Sequence, residues 1–138
     1  MSGPGGAVVA VDPGRDKCGI AAVAPDGELL ARAIIPTNDI GGAVARLAEE
    51  HGAAVIVLGE RTGASAVRRA IEAAAPGATI AEVDEHMTTL QARERYWREC
   101  PPRGLWRLVP RGLRVPPVPV DDWAAVILAE RYLACRAG

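Results

Sequence analysis

Apolar and polar positions change period along this chain. Residues 7–11 (Ala-Val-Val-Ala-Val) form an unbroken apolar run, as a strand buried on both faces requires, and Asp12-Pro13-Gly14-Arg15 interrupts it. A second run covers residues 18–23, and Pro25-Asp26-Gly27 is a tight-turn signal. In a third segment Leu29, Ala31, Ala33 and Ile35 alternate with Glu28 and Arg32, the pattern of a half-buried edge strand. The period then becomes helical: Ile40, Ala43, Val44, Leu47 and Ala48 share one face, Asn38 or Asp39 can cap it, and Gly52 is placed to end it. Residues 53–58 predict a fourth, buried strand. A helix from about Ser65 carries Val67, Ala70, Ile71 and Ala74, Pro76-Gly77 stops it, and residues 79–83 predict a fifth strand. Thr88 or Thr89 can cap a helix running through Trp97, and the Pro- and Arg-rich residues 101–119 read as a long exposed loop. Asp121 then caps a closing helix to about Cys135, with Ala124, Ala125, Leu128, Ala129 and Tyr132 inward.

A meander followed by strand–helix alternation predicts an α/β fold: a mixed five-stranded sheet in the order 3-2-1-4-5, strand 2 antiparallel, with helices on both faces. No repeat or linker divides the 138 residues, so one domain over 1–138 is expected. A hydrophobic fraction of 49% with 24% charged residues excludes a disordered chain. No apolar run approaches the ~18–20 residues of a membrane span, and the N-terminus lacks the basic and apolar regions of an export signal. A cytoplasmic protein is expected. Cys18, Cys100 and Cys135 form no CxxC and read as buried small hydrophobes, so neither a disulfide framework nor a zinc knuckle is indicated.

Candidate chemistry lies in the acids. Asp12 falls where a central strand runs out, Glu60 follows the fourth strand, Asp84-Glu85 follow the fifth, and Asp121 and Asp122 open the last helix. In open α/β sheets ligands bind beyond the carboxyl ends of strands, so these acids are expected on one rim. Singly, each has a plainer use: Asp12 as a turn residue, Glu60 as a solvated acid, Asp121 as a helix cap. Together they repel unless cations neutralise them, and oxygen donors without His or Cys select hard ions such as Mg²⁺ or Mn²⁺. The matching chemistry is phosphoryl transfer. Asp121 is preferred to Asp122 as a ligand. It lies one turn before the small Ala124 and Ala125, whereas Asp122 is rotated ~100° around the helix.

Three segments carry a family resemblance: Val11-Asp12-Pro13-Gly14-Arg15-Asp16-Lys17-Cys18-Gly19, Val83-Asp84-Glu85-His86-Met87-Thr88-Thr89-Leu90-Gln91-Ala92-Arg93, and Val120-Asp121-Asp122-Trp123-Ala124-Ala125. In order and spacing they resemble the signatures of the YqgF (RuvX) family, Holliday-junction-resolvase-like, pre-16S rRNA-processing nucleases of the RNase H-like superfamily. The resemblance implies a single RNase H-like nuclease domain that hydrolyses phosphodiester bonds with Mg²⁺ or Mn²⁺. It implies a catalytic and metal-binding triad of Asp12, Glu85 and Asp121, and Glu60 resembles the fourth-strand Glu of the wider resolvase superfamily as an extra candidate ligand; Asp122 is a further candidate only from its place beside Asp121. Three departures stand out: His86 replaces an Arg found in many relatives, Gly59-Glu60-Arg61-Thr62-Gly63 replaces a Pro- or Asn-containing turn, and the loop Cys100 to Pro119 is longer than the compact members require.

Charge distribution supplies the partner. The net charge is only −1, yet between Gln91 and Val115 seven arginines face only Glu94 and Glu99, making that segment +5. Arg93, Arg103, Arg107, Arg111 and Arg114 of this stretch, with Arg15 and Lys17 beside Asp12, are candidate phosphate contacts, and Trp106 is a candidate base-stacking residue. Trp97 is expected in the core. The partner implied is structured RNA or branched DNA, bound by a monomer or homodimer. A nucleic-acid-binding or ribosome-maturation factor without catalysis is the alternative. An actin-like ATP-binding domain needs far more chain, and no Gly-x4-Gly-Lys-Ser/Thr loop is present to replace it.

Overall fold

In the computed structural model, residues 6–60, 64–84, 88–100, 108 and 121–137 are described. Five strands, β1 (Val8–Asp12), β2 (Lys17–Val23), β3 (Leu29–Pro36), β4 (Val55–Glu60) and β5 (Thr79–Asp84), form one sheet in the order β3-β2-β1-β4-β5. β1 pairs antiparallel with β2 and parallel with β4, β4 pairs parallel with β5, and β2 pairs antiparallel with β3. This is the expected order and sense. Four helices complete the described chain: α1 (Ile40–His51), α2 (Ala64–Ala74), α3 (Thr88–Glu99) and α4 (Asp121–Ala137).

Strand alternation divides the core in two. Val9, Val11, Cys18, Ile20, Ala22, Ile56 and Leu58 pack beneath α1 and α2 through Ile40, Val44, Val67 and Ile71. Val8, Ala10, Ala21, Val23 and Val57 face the other way, onto Ala92 of α3 and the 123–129 segment of α4. At β3 the alternation slips once: the register shifts between Ala22 and Val23, so Ala31 pairs with Ala22 but Leu29 with Val23. The bulge sends Leu29 to the α4 core while Ala31 and Ala33 stay on the α1 side, and leaves Leu30 exposed.

Four local expectations are corrected. Thr37–Asp39 form a 3-10 turn, and Asp39 makes no side-chain cap to α1; the backbone supplies the acceptor instead, Ile40 N–H donating to the Thr37 carbonyl. Residues 123–129 of α4 are buried without a break, because this helix lies across β1 and β2 with α3 against its flank. Cys18 is buried as expected, but Cys100 and Cys135 are exposed near the C-terminal ends of α3 and α4. Trp97 is only half-buried, its ring meeting Tyr96 edge-on at 5.1 Å. α1 ends as predicted, at Gly52 in the left-handed region (φ 63°). The predicted 101–119 loop lies outside the described residues apart from Leu108. Among the described residues, no helix is long and apolar enough to cross a membrane.

Candidate active site

The strand period that buries Val8 and Ala10 beneath α4 also directs Asp12, the last residue of β1, to that side. Directly across the antiparallel ladder Asp12 pairs with Gly19. A Cβ built on Gly19 would fall onto the Asp121 backbone and within 2.6 Å of the Asp122 nitrogen. Only glycine admits the first turn of α4 this close to β2. The same contact therefore brings the N-terminus of α4 to the end of β1.

Asp12 and Asp121 share a pocket of about 230 Å³, whose remaining described lining is the Pro13-Gly14-Arg15-Asp16-Lys17 segment. Asp12 is buried and Asp121 half-buried. The Lys17 ammonium stands 3.8 Å from the Asp121 carboxylate, a solvent-screened pair. Thr37 braces the loop: its hydroxyl donates to the Gly14 carbonyl at 2.9 Å and its backbone N–H to the Asp16 carbonyl at 2.9 Å. Gly14 is itself confined, since a Cβ there would strike the Lys17 carbonyl.

Asp122 is placed differently from Asp121. It does not line the pocket; Oδ2 accepts from Arg32 Nη1 at 2.6 Å and Oδ1 from the Trp123 backbone N–H at 3.0 Å. Glu60 ends β4 at the same edge of the sheet. By alternation from Val57 and Leu58, however, it lies on the α1 and α2 face, opposite Asp12, and it is exposed. Reasoning from the rim alone misses this division between the two faces. Glu85 and His86 lie outside the described residues. Among the described residues, no three His, Cys, Asp or Glu side chains are grouped so that they could hold a metal ion.

The basic residues also separate. Arg15 and Lys17 line the pocket and Arg93 is exposed on α3. Arg95 is engaged within the fold: it donates to Glu130 at 2.7 and 2.9 Å and to Glu99 at 3.0 Å, and its guanidinium lies 5.8 Å from the Trp123 ring centre. Burial works against its charge, but the two carboxylates outweigh it and hold the Arg95 pKa above the usual value. Arg103, Trp106, Arg107, Arg111 and Arg114 lie outside the described residues. Gly19 and Arg32 are the site-building residues that sequence reasoning missed. The available signals were a glycine inside an apolar strand and a lone arginine on an edge strand.

The sheet order, with helices on both faces, defines an RNase H-like α/β fold. Two solved structures of RuvC from Thermus thermophilus share it. The chain is 18% identical to the RuvC in complex with Holliday junction substrate, covering 96% of each chain at a TM-score of 0.65. It is likewise 18% identical to a second Thermus thermophilus RuvC structure over 96% of each chain, at a TM-score of 0.62. No family model matches the chain, and no curated protein matches it by sequence.

Proposed function

We propose that this protein is a divalent-metal-dependent nuclease of the YqgF (RuvX) type that hydrolyses phosphodiester bonds in structured nucleic acid. Branched DNA is the first candidate substrate and precursor 16S rRNA the second. One observation carries the reading: Asp12 and Asp121, from opposite ends of the sequence, meet in one pocket beside Lys17 and Arg15. The RuvC solved with a Holliday junction substrate has the same fold across 96% of its length, which supports branched DNA.

The donor set fits Mg²⁺ or Mn²⁺. Two carboxylates, with water and phosphate oxygens completing the shell, are the usual protein share of such a site. Asp12 and Asp121 would hold the ion. Glu85 is proposed as a third ligand; it stands two positions after Val83, a β5 residue packed on the α4 side of the sheet. When bound, the ion supplies Lewis-acid polarisation of the scissile phosphate. The chain's own groups do the rest. Lys17 and Arg15 attract and hold the phosphate backbone, and Lys17 offsets the repulsion between the acids before substrate arrives. Arg93 and the 101–119 arginines extend the interface along the nucleic acid, and Trp106 stacks on an unpaired base.

The test is cleavage of labelled four-way DNA junctions, single strands and precursor rRNA with Mg²⁺ or Mn²⁺, comparing wild type with Asp12→Asn. Metal-dependent cleavage that Asp12→Asn removes is the expected outcome. Salt-sensitive binding without turnover would select the non-catalytic binding or ribosome-maturation role instead.

A further inference from the structure

Arg32 projects from edge strand β3 opposite Ala21, on the face of the sheet that α4 covers. Its Nη1 lies 2.6 Å from Asp122 Oδ2, and its guanidinium carbon lies 4.4 Å from the centre of the Trp123 ring. One side chain thus grips two consecutive residues of the first turn of α4, through a charge-assisted hydrogen bond and a cation–π contact. The Asp122 carboxylate is only 8% exposed while the Arg32 side chain is 42% exposed, so the pair is shielded from solvent on the carboxylate side only. Behind the grip, Gly19 lets the Asp121 backbone rest against β2. A helix held at Asp122 and Trp123 and seated on Gly19 has little freedom to rotate or slide. Asp121, the residue just before the held pair, is then fixed at the pocket that it shares with Asp12.

We propose that Arg32 is a positioning residue for Asp121, acting through Asp122 and Trp123, and that Asp122 serves as its anchor instead of as a metal ligand. The inference rests on the nuclease reading, because it requires Asp121 to bind the ion. Without Arg32, the buried Asp122 carboxylate is left without its cation and draws the first turn of α4 toward water, so that Asp121 no longer points steadily at the pocket.

Mn²⁺ binding to the 138-residue chain, read from the spectroscopic signal of free Mn²⁺ well below the melting temperature of each variant, tests this without substrate. Wild type should bind Mn²⁺ and Asp12→Asn should lose most of that affinity. Arg32→Gln should weaken binding at least fivefold, and Arg32→Lys should recover much of the loss. Asp122→Asn, which keeps the shape of the anchor but removes its charge, should weaken binding about two- to threefold and serves if Arg32→Gln does not fold. Wild-type affinity in Arg32→Gln or, should that variant fail to fold, in Asp122→Asn would overturn the positioning role while leaving the metal site intact. If wild type and Asp12→Asn bind Mn²⁺ equally weakly, the metal site itself is refuted and the positioning role falls with it.

Discussion

Asp12 and Gly19 stand opposite each other in the β1–β2 ladder, and Gly19 is the point at which the backbone of Asp121 touches the sheet. The missing side chain of Gly19 is therefore what lets two distant acids share one pocket. Gly19→Ala introduces a Cβ where the Asp121 backbone already lies, so the first turn of α4 must lift away. Overpacking of this kind costs about 1–3 kcal/mol. A lowered denaturant midpoint is expected, together with a drop in Mn²⁺ affinity. A variant with undiminished affinity would show that the close approach at Gly19 does not set the pocket.

Lys17 lies 3.8 Å from the Asp121 carboxylate. A divalent ion bound at Asp121 must coexist with this ammonium or displace it, while a phosphate entering the pocket meets it as an attractive charge. Lys17→Met should therefore tighten Mn²⁺ binding severalfold and weaken nucleic-acid binding. The log–log salt dependence of that binding should become shallower by about one unit of slope for each phosphate that is no longer neutralised. Opposite signs in the two titrations are the signature. Weakening of both would assign Lys17 to the structure of the loop.

Much of this arrangement is legible from periodicity, because the sheet order depends on runs and turns that the sequence displays openly. Residues 7–11 have the continuous apolar character of a central strand, and β1 does occupy the centre. Pairings between remote segments are harder to read. Arg32 fits the polar phase of an edge strand, and nothing in its neighbourhood shows that Asp122 and Trp123 are its partners ninety positions later. Glu60 is legible as a strand-end acid. Its face depends on the phase of β4 against β1, which a continuous apolar run conceals because both faces are buried. The unbroken burial of residues 123–129 of α4 likewise depends on α3, a tertiary contact that no single-helix pattern contains.

Thr37 belongs to neither strand nor pocket, yet two of its hydrogen bonds hold the loop that forms the pocket wall. Thr37→Val keeps the backbone bond to Asp16 and removes the one to the Gly14 carbonyl. One such bond contributes about 1 kcal/mol. A melting temperature lower by a few degrees is expected, with faster amide exchange across residues 14–17. Unchanged exchange there would mean that the confinement of Gly14 against the Lys17 carbonyl is sufficient by itself.

Arg93 and Arg95 sit two positions apart on α3 with opposite fates, and this difference predicts separable defects. Arg93 is exposed and free to meet a phosphate, whereas Arg95 spans α3 and α4 through Glu130, holds Glu99, and lies over Trp123. Arg95→Ala should cost about 1–2 kcal/mol of stability, since charge-assisted bonds contribute more than neutral ones but Glu130 remains partly solvated. Its nucleic-acid binding should keep the wild-type salt slope. Arg93→Ala should leave the denaturant midpoint nearly unchanged and reduce that slope by about one unit. Titrations at several salt concentrations, paired with urea melts of both variants, distinguish the roles. A reduced slope in Arg95→Ala would place that guanidinium on the nucleic acid despite its carboxylate partners. An unaltered slope in Arg93→Ala would remove the exposed face of α3 from the binding surface.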